Sequence, residues 1–255
     1  MKISTPPRPI VGEYQLVKTD HGDFWMSTAD LVMRSYMNNT RVWEPTETRV
    51  FISMLSPNCQ VLDVGANVGY FTVLAGRHCP SATIDAVEPH PETIKLLAMN
   101  LWHNQIDATI WPFALGADAG TASLETAVNN VGDTRTNSAE AETIARTVVA
   151  IQRGDDVFEG RSFDVMKLDV QGAELDVLIG LSRTIARSPR LRVLTECSLF
   201  DGQPSLDLNA VESMGFQIQL IDGPGPRDCT RPELRRVMDS LGPNDHISII
   251  LKRRS

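Results

Sequence analysis

The chain has 255 residues, 42% of them hydrophobic and 22% charged, with Lys+Arg 24 against Asp+Glu 32 and a net charge of -8. This length and mix suit a globular protein with one large α/β domain, alone or with a cap, and argue against disorder. The acidic balance argues against a protein that grips a nucleic-acid backbone, because phosphate contacts call for a basic surplus.

The opening MKISTPPRPIVGEYQ lacks the apolar core of a secretory signal, and nowhere do about 18 apolar residues run together. A cytoplasmic protein without a membrane span is expected. Cys59, Cys79, Cys197 and Cys229 stand far apart with no C-x-x-C pair, the pattern of free thiols rather than of a zinc site or disulfides. Residues 1–45 carry a helical pattern around TADLVMRSYM and then TRVWEP, expected as a helical cap on a domain of residues 46–255. Trp25, Tyr36 and Trp43 in that cap either stack on a ligand or form the cap's own small core.

From Val61 onward, short apolar runs alternate with helical patterns, the signature of a parallel sheet with helices on both faces. The expected strands are QVLDVG, TIDAVEP, ATIWPFAL, FDVMKLDV, LRVLTECS, FQIQLI and HISIILKR. Between them, Ile94, Leu97, Ala98 and Leu101 recur at helical spacing, as do Val177, Leu178, Leu181 and Ile185. The last two strands are joined only by the Gly/Pro-rich IDGPGPRDCTRPELRRVMDSLGPND, so the final strand is expected to run antiparallel after a long excursion. RPELRR within it is either a local basic patch or a solvated helix face. Residues 116–160 stand outside the alternation; TASLET and RTVVAIQ are expected to pair as a small hairpin insertion. The polar NNVGDTRT between them offers Asn130, Asp133 and Arg135 for recognition of a hydroxylated acceptor if it is a lid, and is a solvated loop otherwise.

The stretch VLDVGANVGYFTV places an acid, Asp63, near the end of an apolar run, then Gly65 and Gly69, then a helix. Such a turn presents unpaired backbone N–H groups to a ligand. The spacing lacks one glycine of the dinucleotide pattern G-x-G-x-x-G, and no Gly-Lys-Ser/Thr of a phosphate loop follows. What remains is a ligand with a ribose, no phosphates and a small carboxylate, and S-adenosylmethionine has that shape. Glu88 ends the second strand about 20 residues beyond the turn, where an acid accepts both ribose hydroxyl hydrogens; its alternative role is to cap the helix after Pro89 and Pro91. Asp63 either touches the ligand or anchors the turn. The cofactor-lining set is therefore Asp63, Gly65, Ala66, Asn67, Gly69 and Tyr70, then Glu88 and Pro89, with Ala114 and Leu115 after the third strand.

In FDVMKLDVQGAE, Lys167 and Asp169 share a strand face with alpha carbons about 6.6 Å apart, and Glu174 opens the next helix. A lysine in a central strand is costly unless paired or functional. VLDVGANVGYFTV, AVEPHPETIKLLAMNL, the AL-G after the third strand and MKLDVQGAELDVLIGL together resemble the FkbM-type methyltransferases, over roughly residues 45 to 185. The commoner family form has Glu where Gln171 stands. The resemblance implies a Rossmann-like class I methyltransferase fold, a seven-stranded mostly parallel sheet, and methyl transfer from S-adenosylmethionine to a hydroxyl of a small molecule, sugar or natural product. Within it, Asp169 is the first choice for the base or for orienting the acceptor, with Lys167 beside it as countercharge. Glu196, ending the fifth strand, and His246, opening the last, are the further candidates. Asp169 and Glu196 could instead hold Mg²⁺, a reading placed below the metal-free one. The alternatives are an RNA ribose 2'-O-methyltransferase, for which Lys167, Asp169 and Glu174 are suggestive but the acidic balance is not, and a non-catalytic module that binds S-adenosylmethionine. The oligomeric state is not legible.

Overall fold

The computed structural model of the chain describes residues 14–127, 130–135, 143–200, 203–223, 225–242 and 246–254. Period-two alternation, with Val17, Phe24 and Met26 buried, makes an antiparallel hairpin of β1 (Tyr14–Thr19) and β2 (Gly22–Ser27). The helix expected across TADLVMRSYM begins only at Met33, because the Asp30 carboxylate accepts the N–H groups of Val32 and Met33 and turns the chain there. The amino-terminal segment is thus a hairpin followed by α1 (Met33–Thr40) and α2 (Pro45–Met54), not the helical cap expected. Its strand alternation is short and lies beside a stronger helical spacing.

The chain then runs through β3 (Gln60–Val64), α3 (Tyr70–His78), β4 (Thr83–Val87), α4 (Pro91–His103), β5 (Thr109–Trp111) and β6 (Ala114–Gly116). Next come β7 (Gly120–Ala127), β8 (Asn130–Arg135), β9 (Thr143–Arg153), α5 (Gly154–Val157), β10 (Val165–Leu168), α6 (Glu174–Gly180) and α7 (Ser182–Ala186). The remainder is β11 (Arg192–Phe200), β12 (Gln203–Pro204), α8 (Leu208–Ser213), β13 (Phe216–Asp222), β14 (Gly225–Asp228), α9 (Arg231–Asp239) and β15 (His246–Arg253).

The main sheet has the order β14-β13-β15-β11-β10-β3-β4-β5. Strands β5, β4, β3, β10 and β11 run parallel, and β15 lies antiparallel between β11 and β13. This is the class I methyltransferase topology, with the antiparallel last strand that the sequence called for. Two apolar clusters, one holding Val61, Leu74 and Leu97 and the other Leu62, Met166 and Leu178, form the core. Among the described residues no helix is long and apolar enough to cross a membrane.

Two further expectations are revised. ATIWPFAL is not one strand: Pro112 has no N–H to give a ladder, β5 stops at Trp111, and Ala114–Gly116 leaves to pair with β9. The excursion before β15 is not devoid of an amphipathic helix; α9 buries Leu234 and Met238, four residues apart, and Thr230 caps its start. TASLET and RTVVAIQ do pair, as β7 against β9, with β8 added to a second sheet of order β6-β9-β7-β8.

Asn100, fully buried on α4, joins the hairpin to the main domain: it accepts the Trp25 N–H at 2.6 Å and donates to the carbonyls of Trp25 at 3.1 Å and Val68 at 2.8 Å. Replacing Asn100 by Ala leaves these backbone groups without partners, so N100A is expected to lose about 2–4 kcal/mol of stability in urea unfolding. The β2 amides should then exchange faster with deuterium.

Candidate active site

The turn after β3 is built by backbone geometry that few residues tolerate. Gly65 (φ 80), Asn67 (φ 51) and Gly69 (φ 92) all lie in the left-handed region. A Cβ on Gly65 would sit 1.8 Å from the Asp169 carbonyl oxygen, and one on Gly69 would meet the Leu97 side chain at 2.6 Å. The first clash is with backbone that cannot yield. The turn therefore packs directly on the residue that follows β10, and Asp169 N–H closes the contact by donating to Val64 C=O at 3.0 Å.

Asp63, 1% exposed, accepts the Thr72 hydroxyl at 2.5 Å and the Thr72 N–H, so its carboxylate anchors the start of α3. Burial pushes its pKa up to about 6, against the pull of the Thr72 hydroxyl and of Lys167. Glu88, 6% exposed at the end of β4, accepts Asn67 N–H on Oε2 at 2.9 Å and His90 N–H on Oε1 at 2.8 Å. It thereby ties the turn to the start of α4, and burial raises its pKa to about 7 although both N–H groups oppose the shift. Each oxygen keeps lone pairs beyond the one used. Tyr70 is turned toward the amino-terminal segment: its hydroxyl meets Trp43 N–H and the Thr48 hydroxyl, each at 3.2 Å, and its ring stacks near Phe24.

Beside the turn, four charged side chains converge. Lys167, 1% exposed in β10, holds its Nζ 3.3 Å from Asp169 Oδ2 and 3.8 Å from Glu44 Oε2, with the Phe71 ring centroid 4.9 Å away. Burial works against its charge, but Asp169, Glu44 and Glu196 outweigh it and hold the ammonium above the usual lysine range. Oxygens of Glu44, Asp169 and Glu196 lie within 4.8 Å of one another. Burial, then the neighbouring acids, push both Glu44 and Glu196 up to about 7, and Lys167 opposes both shifts. Asp169 Oδ1 accepts from Gln171 Nε2 at 2.9 Å. His246 Nε2 stands 3.5 Å from Glu196 Oε1. The ammonium supplies part of the countercharge of these three carboxylates, whose oxygens are also the kind that hold a divalent ion.

A family model described as "Methyltransferase FkbM domain" matches residues 63–221. The chain belongs to the FkbM methyltransferase family. It is similar to "Methyltransferase 1" of Beauveria bassiana, 29% identical over 144 residues that cover 48% of this chain and 57% of that protein. It is also similar to "Hexuronic acid methyltransferase AglP" of Haloferax volcanii, 28% identical over 128 residues covering 48% of this chain and 50% of that one. The chain thus matches little more than half the length of these curated relatives. Among solved structures, the "Methyltransferase FkbM" of Methylobacillus flagellatus aligns with a TM-score of 0.49 and 13% identity over 77% of this chain and 44% of that one.

The methyl donor of this FkbM domain is S-adenosylmethionine, and the residues present fit it: a tight left-handed turn at Gly65, Asn67 and Gly69 ahead of a helix start, and beside it the Glu88 carboxylate with lone pairs to spare. Of the candidate residues, the fold gathers Lys167, Asp169, Glu196 and His246 into one cluster and places Asp63, Gly65, Ala66, Asn67, Gly69, Glu88 and Pro89 around the adjacent turn. Ala114 and Leu115 lie on β6, beside β9 of the second sheet, with Leu115 buried. Asn130, Asp133 and Arg135 belong to β8, the edge strand of that sheet, at the far side from β6. Glu174 points inward and accepts the N–H groups of Val170 and Gly172, a loop-holding role. Glu44 was missed. The Glu-Pro step before α2 marks a helix start, but nothing local says that this start abuts β10.

Removing the ammonium leaves a buried carboxylate cluster unpaired. Without Lys167 the folded-state pKa values of Glu44 and Glu196 rise further above their unfolded values, so stability is retained at low pH and lost as pH rises. K167M is expected to be destabilised by about 3–5 kcal/mol at pH 8 and by clearly less at pH 5.5, read from urea unfolding at the two values.

Proposed function

We propose that the chain is an O-methyltransferase that moves the methyl group of S-adenosylmethionine to a hydroxyl of a sugar or other small molecule. The observation that carries this reading is the direct contact between the cofactor turn and the carboxylate cluster, Gly65 against the Asp169 carbonyl, which sets acid side chains beside the expected methyl position. S-adenosylmethionine supplies an electrophilic methyl group on a positively charged sulfur. The protein's part is then to hold an acceptor oxygen in line behind that methyl, and positioning alone accounts for a large share of such rate enhancements.

Glu88 is assigned to the ribose hydroxyls, while Gly65, Ala66, Asn67 and Gly69 let the cofactor approach the backbone. Asp169, held by Lys167 on one oxygen and by Gln171 on the other, is a rigid acceptor of the substrate hydroxyl's hydrogen bond, flanked by Glu196 and His246. Three carboxylates against one lysine leave the cluster with an acidic excess, which favours an uncharged polyhydroxylated acceptor over an acidic one, since a second anion there is costly. The same excess, with a net charge of -8, speaks against an RNA acceptor. Asn130, Asp133 and Arg135 remain candidates for the distal part of the acceptor, and residues 46–255 for the catalytic domain proper.

Ribose hydroxyls donate best to ionised Glu88, so binding selects the deprotonated form. With a free-protein pKa of about 7, the affinity for S-adenosylhomocysteine by calorimetry is expected to weaken about tenfold between pH 8 and pH 6. E88Q should bind more weakly and without that slope. Methyl transfer from labelled S-adenosylmethionine is expected with neutral methyl hexosides and at least several-fold slower with the matching uronates. No binding of S-adenosylhomocysteine at any pH would contradict the reading.

A further inference from the structure

Which carboxylate of the cluster takes the acceptor's proton is decided by what each is already doing. Both oxygens of Asp169 are engaged, Oδ2 by Lys167 at 3.3 Å and Oδ1 by the Gln171 amide at 2.9 Å. A carboxylate whose two oxygens each already meet a donor is held in one orientation, which suits it to positioning the acceptor. Glu196 already has the His246 Nε2 3.5 Å from its Oε1.

Glu44 differs from both. Its Oε2 is buried with no hydrogen-bond partner among the described residues, and the nearest cation, Lys167 Nζ, stands at 3.8 Å, within ion-pair range but beyond a hydrogen bond. An unbonded buried carboxylate oxygen is costly and needs a reason. The side chain is not sealed: 19% of its surface stays open. The backbone also holds it in place under strain, for Glu44 is a non-glycine residue at φ 43, ψ 71, immediately before Pro45 and the first turn of α2. Thr48, one turn into α2, bonds back to Trp43 C=O at 2.6 Å and to Tyr70, so the segment carrying Glu44 is pinned to the helix that starts at the cofactor turn.

Resting on the methyl-transfer reading above, we infer that Glu44, brought in by the amino-terminal segment, is the catalytic base of this enzyme, and that Asp169 and Lys167 position the acceptor and Glu44 respectively. In the step, the acceptor O–H bond breaks with its proton passing to the Glu44 carboxylate. The acceptor oxygen forms its bond to the methyl carbon as the carbon–sulfur bond breaks, its electron pair staying on sulfur. Charge balances: a carboxylate and a sulfonium become a carboxylic acid and a neutral thioether. Burial, with Asp169, Glu196 and Glu47 beside it, lifts the Glu44 pKa to about 7 against the pull of Lys167, the range in which a base is both ionised and strong enough near neutrality.

The test compares wild type, E44Q and E44D in methyl transfer to a neutral methyl hexoside from pH 5.5 to 8.5, with the affinity for S-adenosylhomocysteine measured on each. E44Q is expected to lose about 100-fold or more in kcat and the rise in rate through pH 7, with its affinity for S-adenosylhomocysteine within twofold of wild type. E44D, whose carboxylate is set back by one methylene, should keep the rise and lose about tenfold. It is the deciding variant should E44Q not fold. An E44Q or E44D that turns over within threefold of wild type with an unchanged pH profile overturns the inference while leaving methyl transfer standing. A wild type that binds S-adenosylhomocysteine but methylates no hydroxyl acceptor overturns the underlying reading, and the inference with it.

Discussion

A lysine ammonium buried in the middle of a parallel sheet is the constraint around which this molecule is arranged. Lys167 is 1% exposed, and a charge so placed is tolerated only where opposite charges and hydrogen-bond acceptors surround it. It finds them on separate parts of the chain: Asp169 past the end of its own strand, Glu196 on the neighbouring β11, and Glu44 from the amino-terminal segment, with the Phe71 ring closing one side. The demand of one cation thus ties the amino-terminal segment to the main sheet and sets carboxylates at the carboxyl ends of the strands, where open α/β sheets bind ligands.

Close backbone approach transmits that arrangement to the cofactor turn. Gly65 has no room for a side chain because the Asp169 carbonyl lies where its Cβ would be. The turn after β3 and the residue that follows β10 are therefore one packed unit, joined further by Asp169 N–H to Val64 C=O. Gln171 matters in the same unit. An amide at this position donates to Asp169 Oδ1, where a carboxylate would set a second negative charge.

Much of this was legible in the residues. The alternation of apolar runs and helical spacings gave the sheet and its antiparallel last strand, and the left-handed positions at Gly65 and Gly69 are those the glycines of VLDVGANVGYFTV imply. What escaped has physical causes. Hairpin β1–β2 is a short two-stranded ribbon whose alternation competes with a stronger helical period next to it. The split of ATIWPFAL depends on where the freed segment finds a partner, a long-range matter with β9. Glu44 lies 123 positions before Lys167 in the chain, and a nonlocal ion pair leaves no local signature.

The central claim is that the turn after β3 seats a nucleoside joined to an amino acid, with its sulfur facing the carboxylate cluster. A crystal structure with S-adenosylhomocysteine bound tests it most directly. The expected result is both ribose hydroxyls on the two oxygens of Glu88, the ligand backbone against Gly65 to Gly69, and the sulfur directed toward Asp169 and Glu44. A nucleoside seated away from Glu88, or a sulfur directed away from that cluster, would contradict it.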